Sequence, residues 1–186
     1  MQNKNLTLLE IYQEFSKTGE GTGDKGTDHS YIENYYEPTF KDIRFQNLNI
    51  LEIGVSSGLS LEMWAEYFPN SIITGIELEK NSYQPSTERI NLVIGDATSA
   101  VTYKNLKFFD IIIDDGSHFF QDQIFSYAIL FHKLKLGGIY IIEDVREIEK
   151  YAKFYKKLHE NVMIYDFRKI KDRHDDVIVE IRKNIK

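Results

Sequence analysis

The feature that most constrains the fold is the alternation of short apolar runs with longer amphipathic stretches between residues 47 and 186. We expect buried strands over 48–53, 71–76, 90–94, 108–113 and 138–142, and helices over 59–68, 98–105, 119–134 and 146–159. Strands that alternate with helices are joined by right-handed crossovers, so they lie parallel in a doubly wound sheet with helices on both faces. Two more strand runs, 162–167 and 177–181, are separated only by the polar loop 168–176 and must pair antiparallel.

The first 46 residues precede this alternation and form an N-terminal segment of their own, whereas residues 47–186 are expected to form one compact unit. Apolar side chains at helical spacing predict an amphipathic helix over 6–17. The stretch 18–27 contains four glycines, so we expect a mobile loop there. A short helix over 31–36 is expected to end near Pro38.

Composition narrows the class of protein. The 186 residues suffice for one domain with a core that needs no disulfide bonds. The chain has no cysteine, which excludes disulfides, thiolate metal sites and a cysteine nucleophile. The formal net charge of −6 disfavours nonspecific binding of nucleic acid. No apolar run reaches the length of a membrane span and the first residues lack a signal-peptide pattern, so we expect a cytoplasmic protein.

Polar residues follow the predicted parallel strands at the points where ligands bind in such sheets. A glycine loop follows the first strand, and carboxylates follow the next four: Glu77, Asp96, Asp114 with Asp115, and Glu143 with Asp144. In open parallel sheets, ligands bind beyond the carboxyl ends of the strands. One turn acid is commonly a helix cap or a solvated residue. Acidic groups after four strands predict a site instead.

The glycine loop points to a nucleoside rather than a dinucleotide. Gly54 permits a tight turn and Gly58 permits close approach of a ligand or a helix. The spacing is GxxxG, so the dinucleotide fingerprint is incomplete and an NAD-dependent dehydrogenase is disfavoured. Glu77 is placed to accept hydrogen bonds from ribose hydroxyls, and Asp96 from an adenine amino group. Because these carboxylates repel phosphates, S-adenosylmethionine is favoured over NAD or ATP.

The motifs resemble those of known enzymes. The run Glu52-Ile-Gly-Val-Ser-Ser-Gly58, followed by Gly75-Ile-Glu77 and Gly95-Asp96, resembles class I S-adenosylmethionine-dependent methyltransferases. Three further segments, 24–31, 109–118 (ending DDGSH) and 136–144 (ending ED), resemble the metal-dependent sugar O-methyltransferases. That group includes mycinamicin-type and rhamnosyl O-methyltransferases and the cephalosporin-hydroxylase-like proteins. The resemblance implies a seven-stranded Rossmann-like sheet with an antiparallel last strand.

This resemblance implies a metal site and a general base. Asp115, Glu143 and Asp144 would bind Mg²⁺ or Mn²⁺, and three carboxylates this close would repel one another unless a cation lay between them. His118 would be the base, since its ordinary pKa suits proton transfer near neutral pH and Asp115 faces the same cavity. Glu52 belongs to the motif that contacts the methyl donor.

The first of the three segments is implied to cover the cofactor. Thr27 would contact the cofactor, and His29 and Tyr31 the substrate; a surface turn is the alternative reading of this segment. Asp114 either caps the following helix or faces the amino group of the cofactor, and the sequence leaves both alternatives open.

Together these observations predict an Mg²⁺-dependent O-methyltransferase that transfers a methyl group from S-adenosylmethionine to a sugar hydroxyl, such as that of rhamnose in a glycan or glycoside. A methyltransferase of a small phenolic acceptor and a noncatalytic nucleoside-binding module are the alternatives. After Glu143-Asp144 the chain runs straight into a polar helix start, so the acceptor pocket is minimal. The acceptor, a homo-oligomer and a longer multidomain parent chain stay open.

Overall fold

The computed structural model describes residues 6–17 and 23–185. Its strands are β1 (Asn49–Ile53), β2 (Ile72–Glu77), β3 (Ile90–Ile94), β4 (Phe109–Asp114), β5 (Leu134–Ile142), β6 (Val162–Asp166) and β7 (Val177–Arg182). Its α-helices are α1 (Leu8–Lys17), α2 (Glu37–Phe40), α3 (Leu59–Tyr67), α4 (Phe120–Leu130), α5 (Ile148–Tyr155) and α6 (Arg168–Lys171). A π-helical segment, Ile32–Tyr36, precedes α2, and a 3₁₀ turn, Phe131–Lys133, follows α4.

The strands form one sheet in the order β3-β2-β1-β4-β5-β7-β6. The first five strands pair parallel, and β7 pairs antiparallel with both β5 and β6. This confirms the predicted doubly wound, mostly parallel, seven-stranded sheet with an antiparallel last strand. Strand order reverses between β1 and β4, and the carboxyl ends of the parallel strands meet at one edge there.

Two hydrophobic clusters cover the two faces of the sheet. Ile50 of β1 packs with Trp64 of α3 on one face, and its neighbour Leu51 packs on the other face with α4 and α5. A strand buried on both faces carries apolar residues almost continuously, which is why the short apolar runs predicted it. Leu8 and Ile11 of α1 join the cluster of α3, so the described part of the N-terminal segment shares the core of the sheet.

The helix predicted over 98–105 is wrong. This segment forms consecutive turns, with backbone bonds from Thr102 N–H to the Ser99 carbonyl (3.1 Å) and from Tyr103 N–H to the Ala100 carbonyl (3.3 Å). The Thr102 hydroxyl donates to the backbone carbonyl of Asp96 at 2.7 Å. Side chains that bond the nearby backbone compete with a helix, and here they tie the segment into turns.

Other boundaries differ in smaller ways. Pro38 lies in the first turn of α2 rather than ending a helix, because that turn requires no N–H donor from proline. The loop predicted over 168–176 contains α6, and β5 begins at Leu134 rather than 138. Residues 18–22 of the predicted mobile loop lie outside the described residues, whereas 25–28 form a turn. Among the described helices, none has the length and apolar character required to cross a membrane.

Candidate active site

A cavity of about 700 Å³ opens at the carboxyl edge of β1, β2 and β4. Its wall includes the loop after β1, the ends of β2 and β3, and the loop after β4. Six predicted site residues line it: Gly54, Glu77, Asp96, Asp114, Asp115 and His118. The cavity therefore lies at the reversal of strand order, where ligands bind in sheets of this kind.

The two glycines of the loop after β1 have different roles. Gly54 has a φ of +88°, and a Cβ at this position would lie 2.1 Å from the backbone oxygen of Asp115. Gly58 has a φ of +83°, and a Cβ there would lie 2.3 Å from the ring of Tyr83. Gly54 thus lets the loops after β1 and β4 approach each other at the cavity, and Gly58 makes room for an aromatic ring beside it.

Two carboxylates are fixed at the cavity wall by nearby donors. Glu77 accepts hydrogen bonds from the backbone N–H groups of Val55 (3.0 Å) and Ser56 (2.8 Å), so it also holds the loop after β1. Asp96 accepts from the backbone N–H and the hydroxyl of Thr98, both at 2.7 Å, and these bonds lower the pKa of Asp96. The wall is consequently acidic, and it suits a ligand that has hydroxyl or amino donors and no phosphate.

Asp114 ends β4 and faces the cavity. It is buried, which raises the pKa of its carboxyl to about 7, and the Tyr140 hydroxyl lies 3.3 Å from it. The N-cap of α4 is Phe119, which forms no side-chain capping bond. Capping of the next helix, one of the two alternatives for Asp114, is therefore wrong.

Asp115, His118 and Asp144 form a group of acidic and histidine ligands. One ligand atom from each lies within 4.8 Å of the others, and His118 Nε2 is 3.9 Å from Asp144 Oδ2. His118 and Asp144 have φ values of +58° and +52°, a left-handed conformation that is rare outside glycine and clusters at functional sites. His118 Nδ1 is buried without a hydrogen-bond partner. The two carboxylates and the imidazole of this group fit a divalent cation such as Mg²⁺ or Mn²⁺.

Glu143, the third predicted metal ligand, is turned toward other partners. Its carboxylate accepts hydrogen bonds from the Tyr36 hydroxyl and from Lys25 Nζ. Lys25 Nζ also lies 2.6 Å from Asp115 and 3.3 Å from Glu52. Although burial opposes it, the charges of these acids hold the pKa of Lys25 well above its usual value. This lysine is central to the site, and sequence reasoning missed its partners.

His29 and Tyr31 lie behind Asp144 rather than at the cavity. Both are fully buried at 0% exposure, so direct substrate contact, predicted for both, is not what the structure shows. The Tyr31 hydroxyl donates to Asp144 Oδ1 at 2.7 Å, and His29 Nδ1 lies 3.5 Å from the same oxygen. His29 Nδ1 is also 3.4 Å from Asp176, a residue before β7 that the sequence did not single out. The Tyr31 hydroxyl therefore orients Asp144, whereas His29 lies beside it without a hydrogen bond.

Thr27 and Glu52 are also not in the cavity wall. Thr27 is exposed, and its hydroxyl donates to the Gly23 carbonyl at 2.9 Å within the turn. Glu52 is fully buried beneath the site, where it accepts a hydrogen bond from Trp64 Nε1 at 3.1 Å and pairs with Lys25. The contact with the methyl donor predicted for these two residues stays a prediction, since Thr27 bonds within its own turn and Glu52 bonds within the core.

No family model matches the chain. The chain is 36% identical over 122 residues to mycinamicin VI 2''-O-methyltransferase of Micromonospora griseorubida, covering 60% of this chain and 30% of that relative. It is 34% identical over 122 residues to demethylmacrocin O-methyltransferase of Streptomyces fradiae, covering 60% and 31%. The match thus spans about a third of the length of each relative.

The structural comparison covers more of the chain. The MycE methyltransferase from the mycinamycin biosynthetic pathway, solved in complex with Mg, SAH and mycinamycin VI, matches with a TM-score of 0.76 and 25% identity. The match covers 96% of this chain and 55% of that one. This chain has the class I methyltransferase fold. The resemblance inferred from the glycine loop and the DDGSH and ED motifs is thereby confirmed.

Within this methyltransferase fold, strand pairing explains why the acidic residues meet. Asp114 of β4 is in register with Ile142 of β5, so Asp115 and Glu143 follow at adjacent strand ends. Glu52 of β1 is in register with Ile113 of β4, directly beneath them. The sequence could place Asp115 and Glu143, because each follows an apolar run, whereas Glu52 lies inside one.

Proposed function

We propose that this chain is an Mg²⁺-dependent O-methyltransferase that transfers the methyl group of S-adenosylmethionine to a sugar hydroxyl of a small-molecule or glycan acceptor in the cytoplasm. The observation that carries the proposal is that the acidic wall formed by Glu77 and Asp96 shares one cavity with Asp115 and His118, and that both of these lie close to Asp144. The similarity to sugar O-methyltransferases supports the acceptor class, and a rhamnoside is the first acceptor to test. The net charge of −6 argues against nucleic acid as the acceptor.

The acidic wall suits the methyl donor for two reasons. Glu77 and Asp96 present acceptor oxygens, which would meet the hydroxyl groups of the ribose and the amino group of the adenine. S-adenosylmethionine carries a sulfonium charge and no phosphate, so these carboxylates attract it where they would repel ATP or NAD.

The acid–histidine group suits deprotonation of the acceptor. A sugar hydroxyl is a poor nucleophile while protonated, and a divalent ion held by Asp115 and Asp144 would lower its pKa. His118 would accept the hydroxyl proton on its imidazole nitrogen, while Asp144 holds the ring in place. The hydroxyl oxygen then forms a bond to the methyl carbon as the carbon–sulfur bond breaks, which releases S-adenosylhomocysteine. Binding both reactants in one cavity supplies much of the rate through proximity.

The first test is calorimetric titration of the protein with S-adenosylhomocysteine, with NAD as the control. We expect the first compound to bind and the second not to. The second test follows methyl transfer from S-adenosylmethionine to an alkyl rhamnoside by mass spectrometry, with Mg²⁺, with EDTA, and with EDTA followed by excess Mg²⁺. EDTA should abolish transfer and Mg²⁺ should restore it. A folded sample that does not bind S-adenosylhomocysteine would contradict the proposal, and full activity in EDTA would remove its metal component.

A further inference from the structure

Lys25 occupies the centre of the acidic cluster. Its side chain is almost fully buried, with 3% of the residue exposed, and Nζ lies 2.5 Å from Glu143 Oε2 and 2.6 Å from Asp115 Oδ2. Glu52 Oε1 lies 3.3 Å away on a third strand. A lysine is rarely buried to this extent unless it is paired, and here three carboxylates from neighbouring strands converge on it.

Two of these three carboxylates, those of Asp115 and Glu143, are also predicted ligands of a divalent ion. Asp115 belongs both to the Lys25 ion pair and to the group with His118 and Asp144. Both oxygens of Glu143 are occupied, one by Lys25 and the other by the Tyr36 hydroxyl. With Lys25 in this position, each oxygen of Glu143 already accepts a hydrogen bond, and an added positive charge would meet the ammonium group at close range.

Building on the proposed function, we propose that Lys25 is a tethered cation that holds Asp115 and Glu143 together without a divalent ion and leaves Glu143 when the ion binds. Lys25 is thus a positioning residue that competes with the ion for ligands. In this arrangement the buried acids are never left without a counter-charge. The Lys25 side chain must therefore move as the site becomes loaded.

The test measures ion binding by Lys25→Met. Free Mn²⁺ is followed by electron paramagnetic resonance during titration of the wild type, of Lys25→Met and of Lys135→Met. Lys135 is the matched control, because it pairs with Asp110 at 2.7 Å near the starts of β4 and β5, away from the site. We expect Lys25→Met to bind Mn²⁺ about tenfold more tightly than the wild type or more, since one nearby positive charge is removed. Lys135→Met should match the wild type.

Thermal unfolding supplies a second readout that does not depend on activity. Without divalent ions, Lys25→Met should melt below the wild type, because its acids lack a counter-charge. Saturating Mg²⁺ should raise its melting temperature more than that of the wild type. If Lys25→Met binds Mn²⁺ no more tightly than the wild type, the inference fails while the proposed function stands. If neither protein binds Mn²⁺, the metal component of the proposed function fails and the inference fails with it.

A measurement on the wild type covers the case in which Lys25→Met does not fold. In protein labelled with ¹⁵N-lysine, a buried, hydrogen-bonded ammonium group gives an observable NMR signal, which is assigned to Lys25 by its loss in Lys25→Arg. Saturating Mg²⁺ should shift or remove this signal. A signal that does not change, in a protein that binds Mg²⁺, would overturn the inference.

Discussion

His118 combines a strained backbone with a ring that faces a carboxylate. Its φ of +58° directs the imidazole toward Asp144, and one ring nitrogen lacks a partner. A residue keeps such a conformation when the surrounding structure imposes it, at a cost of about 1–3 kcal/mol. The backbone at this position therefore supports a functional role for the side chain.

We predict that His118→Asn will lower the rate of methyl transfer about 10²–10⁴-fold, the usual contribution of a general base. Asparagine tolerates a left-handed backbone, so the fold should be retained. Affinity for S-adenosylhomocysteine, measured by calorimetry, should stay within a few-fold of the wild type. His174→Asn is the control, since the His174 side chain is 78% exposed. Unchanged turnover in His118→Asn would remove the assignment of this residue as the base.

The raised pKa of the Glu52 carboxyl should make the stability of the protein depend on pH. Burial raises the pKa of its carboxyl to about 7 from an ordinary value of 4.5, so between these values the folded protein binds a proton that the unfolded chain releases. Stability from this group is therefore present below pH 4.5 and is lost as the pH rises toward 7.

Glu52→Gln keeps an acceptor for the Trp64 indole. We predict that the free energy of unfolding of this variant will fall by up to roughly 3 kcal/mol less than that of the wild type between pH 5 and 8. Chemical denaturation at several pH values measures it. The control is Glu66→Gln. Glu66 lies in the same helix as Trp64, and the Glu66 side chain is not fully buried. If the free energy of unfolding changed with pH equally in Glu52→Gln and in the wild type, the prediction would be contradicted.

At the scale of elements, the loop between β1 and α3 depends on close contact with the loop after β4. We predict that Gly54→Ala will weaken S-adenosylhomocysteine binding about tenfold or more, because a loop displacement that costs 1.4 kcal/mol has this effect. An added Cβ would lie 2.1 Å from a backbone oxygen that cannot rotate away. Calorimetry and thermal unfolding check the result.

Gly137→Ala is the matched control for Gly54→Ala. Gly137 also has a positive φ (+77°), but an added Cβ would meet only the flexible side chain of Ile185, at 3.2 Å. Both variants carry the same backbone cost, and only Gly54→Ala adds the clash at the cavity. Equal affinities in the two variants would show that the clash does not matter.

Elements with a one-sided or two-sided apolar pattern could be predicted from the sequence, and the others could not. The strand β1 and the buried face of α3 were predicted because burial of apolar side chains alone determines their sequence pattern. The 98–105 segment was mispredicted because side-chain bonds to the backbone at Asp96 and Ala97, not hydrophobic spacing, decide its path. In the site, the carboxylates were found because they directly follow the apolar runs that predicted the strands.

At the scale of the whole molecule, the partners of the site residues could not be predicted. Lys25 meets Asp115 and Glu143 from 90 and 118 residues away, and no local pattern selects one of the chain's many lysines for that position. Likewise, Asp176 reaches His29 only because the connection between β6 and β7 folds back over the turn that carries Lys25.

Lys171 in that connection stabilises the turn. Its ammonium group donates to the backbone carbonyls of Gly26 (3.1 Å), Thr27 (2.7 Å) and His29 (2.7 Å). We predict that Lys171→Met will lower the free energy of unfolding by roughly 1–2 kcal/mol. Hydrogen exchange of residues 23–31 should be faster than in Lys169→Met, the exposed neighbouring lysine of α6. Equal exchange in both variants would contradict this role.

The bond between Lys171 and the turn at 26–29 also has a consequence for synthesis on the ribosome. At about 5–20 residues per second, the turn would emerge roughly 7–30 s before its partner in α6 is made. Before Lys171 is made, the backbone carbonyls of Gly26, Thr27 and His29 would lack its three hydrogen bonds, although β1 to β5 could already pair. A nascent chain arrested before Lys171 should therefore contain the parallel sheet, with the turn at 26–29 not yet held by the ammonium group.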